Sequence, residues 1–308
     1  MKPTTIYFFL LALFFGSCTP NPPKSKFKSL NAKALLATEF SNIKQFKEDV
    51  KIDYFNNSTL KGDNITSVIL TYKNNGDSII SKLTSGTSQD DIIKAKDGSL
   101  YDQVDLITKS PYSIRSRVDL AKVYMLARRR PKLYDIGDVA FYDLAEASLW
   151  NIIETKKKGI SAKESGEKGY INTFNHVTAQ AIITAIFGEE LADFIVDIHE
   201  RLYMPELTTG KFSEEQKTDT INFPVDNYVD LVNNEIGQEL GILLSTKYHI
   251  TRQTIWSKDL LCNFLNDIQD YYSWSFDIGF KAYQPNDKLI LRYADKINQV
   301  IAGKYQTS

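Results

Sequence analysis

All three histidines of this 308-residue chain fall between residues 176 and 249, in a segment where polar groups recur among apolar ones. The segment, roughly 172 to 241, reads Asn172-Thr173-Phe174-Asn175-His176, then His199-Glu200, then Asp230-Leu231-Val232-Asn233-Asn234-Glu235-Ile236-Gly237. Imidazoles and carboxylates are the groups that transfer protons near neutral pH or ligate a metal. Two imidazoles and one carboxylate, here His176, His199 and Asp230, form a donor set for a catalytic divalent metal with an open water position. Without a metal, one histidine oriented by Asp230 is a general base, and Glu200 is a further acid-base group. The expected catalytic residues are His176, His199, Glu200 and Asp230, with Asn172, Asn233 and Asn234 as binding groups. His199-Glu200 is not the zinc-protease motif, because no second histidine follows one helical turn after His199.

Three helices must position these groups. The first runs from near Asn172 to about Phe187, with Asn172, His176, Ala179 and Ile183 on one stripe at spacings of four, three and four. A break at Gly188-Glu189-Glu190 precedes a second helix to Leu202, whose apolar stripe is Leu191, Phe194, Ile195, Ile198 and Leu202. His199 lies on the margin of that stripe, and Glu200 a further 100° round. The third helix starts after Pro224, with Asp226 near its N-terminus, where the helix dipole favours a carboxylate. Beside its apolar face runs a second stripe of Asp226, Asp230, Asn233, Gly237 and Gly241. Glycine costs about 1 kcal/mol relative to alanine in a helix interior, so two on one stripe point to a close approach by a ligand or another helix. Both roles stay open for the polar residues: a catalytic site, or hydrogen-bonded seams in a helical core.

The first seventeen residues bear on localisation. Lys2 precedes the apolar run Ile6 to Phe15, then Gly16, Ser17 and Cys18. That run is a secretory signal peptide, too short for a permanent span. Cysteine after Gly-Ser resembles a bacterial lipobox, with Phe15 in place of the usual leucine, so Cys18 is the expected acylated mature N-terminus. Cys262 then remains alone, in the apolar helical context of a small buried hydrophobe. The net charge of -1 gives no electrostatic footprint for nucleic acid. Arg128-Arg129-Arg130 and Lys156-Lys157-Lys158 read as solvated helix ends. The expected partner is the membrane, through the lipid anchor, at the periplasm-facing side of the cell envelope.

Residues 18–45 read as a tether, with the proline- and lysine-rich stretch at 19–30. Strand-like runs follow at 50–55, 67–72 and 78–80, the last two joined through Asn75-Gly76, a hairpin signal. The region 46–98 is thus a small strand-containing unit, ending in a polar loop or linker over 85–98. Residues 100–308 form a helical domain. One helix carries Phe141, Leu144, Ala145, Ser148, Leu149, Ile152 and Ile153 and stops at Lys156-Lys157-Lys158-Gly159; two more occupy 251–276 and 286–303. The fold class is mainly α with a small N-terminal β-sheet, α+β overall.

The signature residues resemble an uncharacterised bacterial domain family whose pattern is Asn-Ala-x-Arg-His, a helix ending His-Glu, then Asp-x-x-Asn-Asn-x-x-Gly. The matching positions are Asn172 and His176, His199 and Glu200, then Asp230, Asn233, Asn234 and Gly237. Similar domains occur at the C-terminal ends of large toxin-like proteins, so the resemblance implies an enzymatic role, here an envelope-anchored hydrolase. The chain departs from the pattern at Thr173, where the family has alanine, and at Asn175, where it has arginine. The alternative is a non-catalytic structural or interaction lipoprotein. For catalysis, the two imidazoles and Asp230 must converge at the edge of a solvent-reaching pocket.

Overall fold

Asn75 and Gly76 both take positive φ, 49° and 86°, as a tight two-residue hairpin turn requires. In the computed structural model, which describes residues 30–56, 65–84, 86–154, 159–166, 168–204, 206–209, 211–218 and 224–304, this turn joins β2 (Ile65–Asn74) to β3 (Asp77–Leu83). β1 (Val50–Asn56) pairs antiparallel with β2, giving a three-stranded sheet in the order β1-β2-β3. β3 alternates buried and exposed residues along its length, so one face packs on protein and the other meets solvent.

A short helix α1 (Ile43–Asp49) leads into the sheet. After it come α2 (Gln89–Asp97), α3 (Leu100–Lys109), α4 (Arg117–Ala127) and α5 (Phe141–Asn151). The second half holds α6 (Tyr170–Phe187), α7 (Glu189–Tyr203), α8 (Val225–Tyr248), α9 (Lys258–Phe276) and α10 (Lys288–Ile301). The architecture is mainly α with one small sheet near the N-terminus, as the sequence implied. Among the described residues no helix is long and apolar enough to cross a membrane.

α6 is the central helix, with 14 of its 18 residues buried, so it meets neighbours on nearly every side. α8 runs beside it in the same direction, and the glycine stripe is their crossing. A Cβ at Gly237 would lie 2.6 Å from the Val177 carbonyl oxygen, and one at Gly241 2.6 Å from that of Ala181. The close approach is therefore made by a helix.

Several boundaries differ from those read in the sequence. Residues 85–98 hold α2 rather than a continuous loop. Ser88 Oγ accepts from the Asp91 amide while the Asp91 carboxylate accepts from the Ser88 amide, a capping box that starts the helix. α9 begins at Lys258, because His249 closes α8 in the left-handed region (φ 52°) and the chain turns before Ser257 caps the next helix. α5 ends at Asn151, where Ile152 forms a bridge with Phe280. Cys18 and Lys156-Lys157-Lys158 lie outside the described residues.

The largest departure is in the stretch read as a tether. The fold already includes residues 30–45, and Ala32, Ala34, Leu35 and Leu36 are buried. The first part of this stretch, residues 30–36, is a strap without regular structure, held by side chains in place of a strand partner. Asn31 N donates to Asp77 Oδ2 (2.6 Å), Lys33 N to Asn74 Oδ1 (3.1 Å) and Ala34 N to Ser275 Oγ (2.9 Å). Tyr271 donates its hydroxyl to the Ala32 carbonyl at 2.8 Å. These bonds meet the demand that buried backbone polar groups be paired.

Candidate functional site

The facing N-terminal halves of α6 and α8 carry the polar stripes, and the residues there form a continuous network. Asn172 Nδ2 donates to Asp230 Oδ1 at 2.9 Å and lies 3.4 Å from Asp226 Oδ1. Lys168 Nζ reaches Asp226 Oδ2 at 3.4 Å. His176 Nε2 lies 3.3 Å from Asp230 Oδ2, and His176 Nδ1 is 2.9 Å from Asn234 Oδ1. From α7, Glu200 closes the network by accepting from Asn234 Nδ2 at 3.3 Å. The chain of contacts thus runs from half-buried Lys168 inward to Glu200, which is 2% exposed.

The amide of Asn234 fixes the imidazole's tautomer. Its oxygen can only accept, so His176 Nδ1 carries a hydrogen, while its nitrogen donates to Glu200. His176 Nε2 faces Asp230 Oδ2, so the imidazole and the carboxyl are directly paired. Burial, with the Asp226 charge adding, holds the Asp230 carboxyl well above the usual range; the Asn172 hydrogen bond and Lys168 work against the rise. Burial likewise pushes Glu200 up to about 8, reinforced by Asp230 and opposed by His176 and Asn234. Glu200 is therefore mostly protonated at neutral pH.

His199 belongs to a different environment. Its Nδ1 lies 3.4 Å from Gln89 Oε1 on α2, and its ring packs edge-on to Tyr203 at 5.2 Å. Burial lowers it to about 4, so it is neutral at pH 7. The structure brings His176 and Asp230 together, links Glu200 through Asn234, and leaves His199 outside. Among the described residues no three His, Cys, Asp or Glu side chains are grouped to hold a metal ion. The set His176, His199 and Asp230 is therefore not assembled as metal ligands.

Asn233 also has a different task from its neighbour Asn234. Its Oδ1 accepts from Leu35 N and its Nδ2 donates to the Leu35 carbonyl, each at 2.9 Å. Thr173 Oγ1 donates to the same carbonyl at 2.9 Å. Asn233 is thus a clamp on the strap. Thr173, one of the two departures from the signature, supplies the clamp's third bond, a role the sequence reading missed. It also missed Lys168. The signal was periodic: Lys168 and Asp226 each lie one turn before a network member, Asn172 and Asp230.

A cleft of about 260 Å³ opens between β3 and α7, where Lys82, Thr84, Asp193, Phe194 and Asp197 are among its walls; no signature residue lines it. Compared with protein-family models, curated proteins and solved structures, the chain matches none.

Proposed function

We propose that the chain is an envelope-anchored lipoprotein, acylated at Cys18 and facing the periplasm, whose signature residues stabilise the helical core and fasten the root of the tether to it. One observation carries this reading: the side-chain polar atoms of His176, Asp230, Asn233 and Asn234 are engaged by the protein itself. Both His176 nitrogens, both Asp230 oxygens and both amide atoms of Asn233 and of Asn234 have protein partners. A general base needs one such atom directed at a substrate. The apolar run before Cys18 and the lysine- and proline-rich stretch after it support the anchor. The resemblance to the signature family rests on the residues quoted above and is part of the same proposal.

A hydrolase at these residues is the second reading. It is favoured by the His176 side chain, 15% exposed, beside Asp230, whose carboxyl burial holds above its usual range, and near Glu200, which burial pushes up to about 8. The variants His176→Ala and Asp230→Asn separate the two. Under the first reading each lowers stability in urea titration by about 1–3 kcal/mol, the cost of leaving buried partners unpaired, and the wild-type protein cleaves none of a panel of ester, peptide and phosphoester substrates. Turnover by the wild type that both variants lose at unchanged stability would replace it with the second.

A further inference from the structure

We propose that the face carrying Trp274 and Lys33 rests on the lipid headgroups, giving the protein a second membrane contact beside its acyl anchor. The inference rests on the lipoprotein reading and adds to it a surface of the folded body.

The strap determines where the chain enters the fold. Asn31 is fastened from two sides, its amide to Asp77 and its carbonyl to Asn75 Nδ2 at 3.2 Å, and Lys33 N is bound to Asn74. The entry point is therefore the β2–β3 turn. The last turn of α9 lies against the same strap, through Ser275 to Ala34 and Tyr271 to Ala32. Trp274, between them, is 44% exposed, with Lys33 Nζ 5.7 Å from the centre of its ring.

From Cys18 to Leu30 an extended chain spans at most about 40 Å, so an anchor at Cys18 keeps the entry point, and the Trp274 face beside it, within that reach of the bilayer. Its chemistry suits that position. Indole, with an apolar body and one N–H donor, is enriched at the headgroup level of membrane interfaces. Lys33 and exposed Lys73 lie at the entry point, and Lys24, Lys26 and Lys28 lie between the anchor and the fold. Each lysine near an anionic surface adds attraction; Asp270 and Asp277, exposed at the same end of α9, and exposed Glu39, within electrostatic reach of Lys33, reduce it. The exposed apolar residues Leu100, Tyr101 and Val104 of α3 follow Leu83, the end of β3 remote from Asp77, and so lie away from the entry point.

The test uses the acylated full chain in a Trp150→Phe background, reconstituted into phosphatidylglycerol vesicles with and without brominated acyl chains. Trp256, 1% exposed, contributes an unquenched baseline. The expected result is loss of tryptophan emission on brominated vesicles, absent when Trp274→Phe is added to a chain whose circular dichroism is unchanged. Mass spectrometry of the N-terminal peptide keeps two failures apart. A chain without a lipid at Cys18 overturns the anchor reading. A lipidated, vesicle-bound chain whose Trp274 emission is the same with and without bromine overturns the membrane face alone.

Discussion

Glu200 couples the network to pH. Burial places its folded-state value at about 8, above the roughly 4.3 of an exposed glutamate. Between those values the folded chain holds a proton that the unfolded chain has released. The stability this group contributes is complete below about pH 4.3 and is lost as pH rises toward 8. Asp230, also held high by burial, acts in the same direction. Glu200→Gln keeps an oxygen to accept from Asn234 and removes the titration. Calorimetric Tm of the wild type should fall from pH 5 to pH 8, and that of Glu200→Gln should fall less and exceed the wild type at pH 8. Parallel profiles would show that Glu200 is already ionised in the fold. Asn233 and Asn234 show why neighbours in sequence need not share a task. They differ by 100° around α8, which turns one toward the strap and the other toward His176 and Glu200.

At the scale of elements, the crossing of α6 and α8 sets the register that brings His176 to Asp230. In an open helix, replacing glycine by alanine stabilises by about 1 kcal/mol. At Gly237 the added carbon meets the Val177 carbonyl and the Gln180 Cβ, at 2.6 and 2.8 Å. Gly237→Ala and Gly241→Ala should therefore each destabilise by about 1–3 kcal/mol in urea titration, and an unchanged or higher midpoint would show that the helices can separate without loss. The helices were legible because the apolar period of 3.6 and the glycine stripe are local patterns, and Asn75-Gly76 announced the hairpin equally well. His199 was misplaced for a traceable reason. Its partner Gln89 begins a helix within a polar stretch read as linker, where Ile92, Ile93 and Ala95 are too few to make a clear apolar stripe. The strap was hidden because its apolar run, Ala34-Leu35-Leu36-Ala37, is too short to show a helical or strand period and its partners lie far along the chain.

For the molecule as a whole, the strap is the first segment of the described fold. A chain starting at residue 30 should keep the urea midpoint of the full chain. One starting at residue 37 would leave Asn233, Thr173, Ser275 and Tyr271 facing an interior without their acceptors and donors, each a penalty of about 1–3 kcal/mol. We expect that shorter chain to lose its cooperative unfolding transition by circular dichroism, and a sharp transition in it would show the strap to be dispensable. The bond from Ala34 to Ser275 joins residues 241 apart, and the Leu35–Asn233 bonds span 198. Contacts of such separation form late, because the intervening chain must be ordered first. The amino end, first to be synthesised, therefore waits for α9 before it can be fixed. A chain exported amino end first would cross the membrane without its final lock, and would close around its own root only after nearly all of it has arrived.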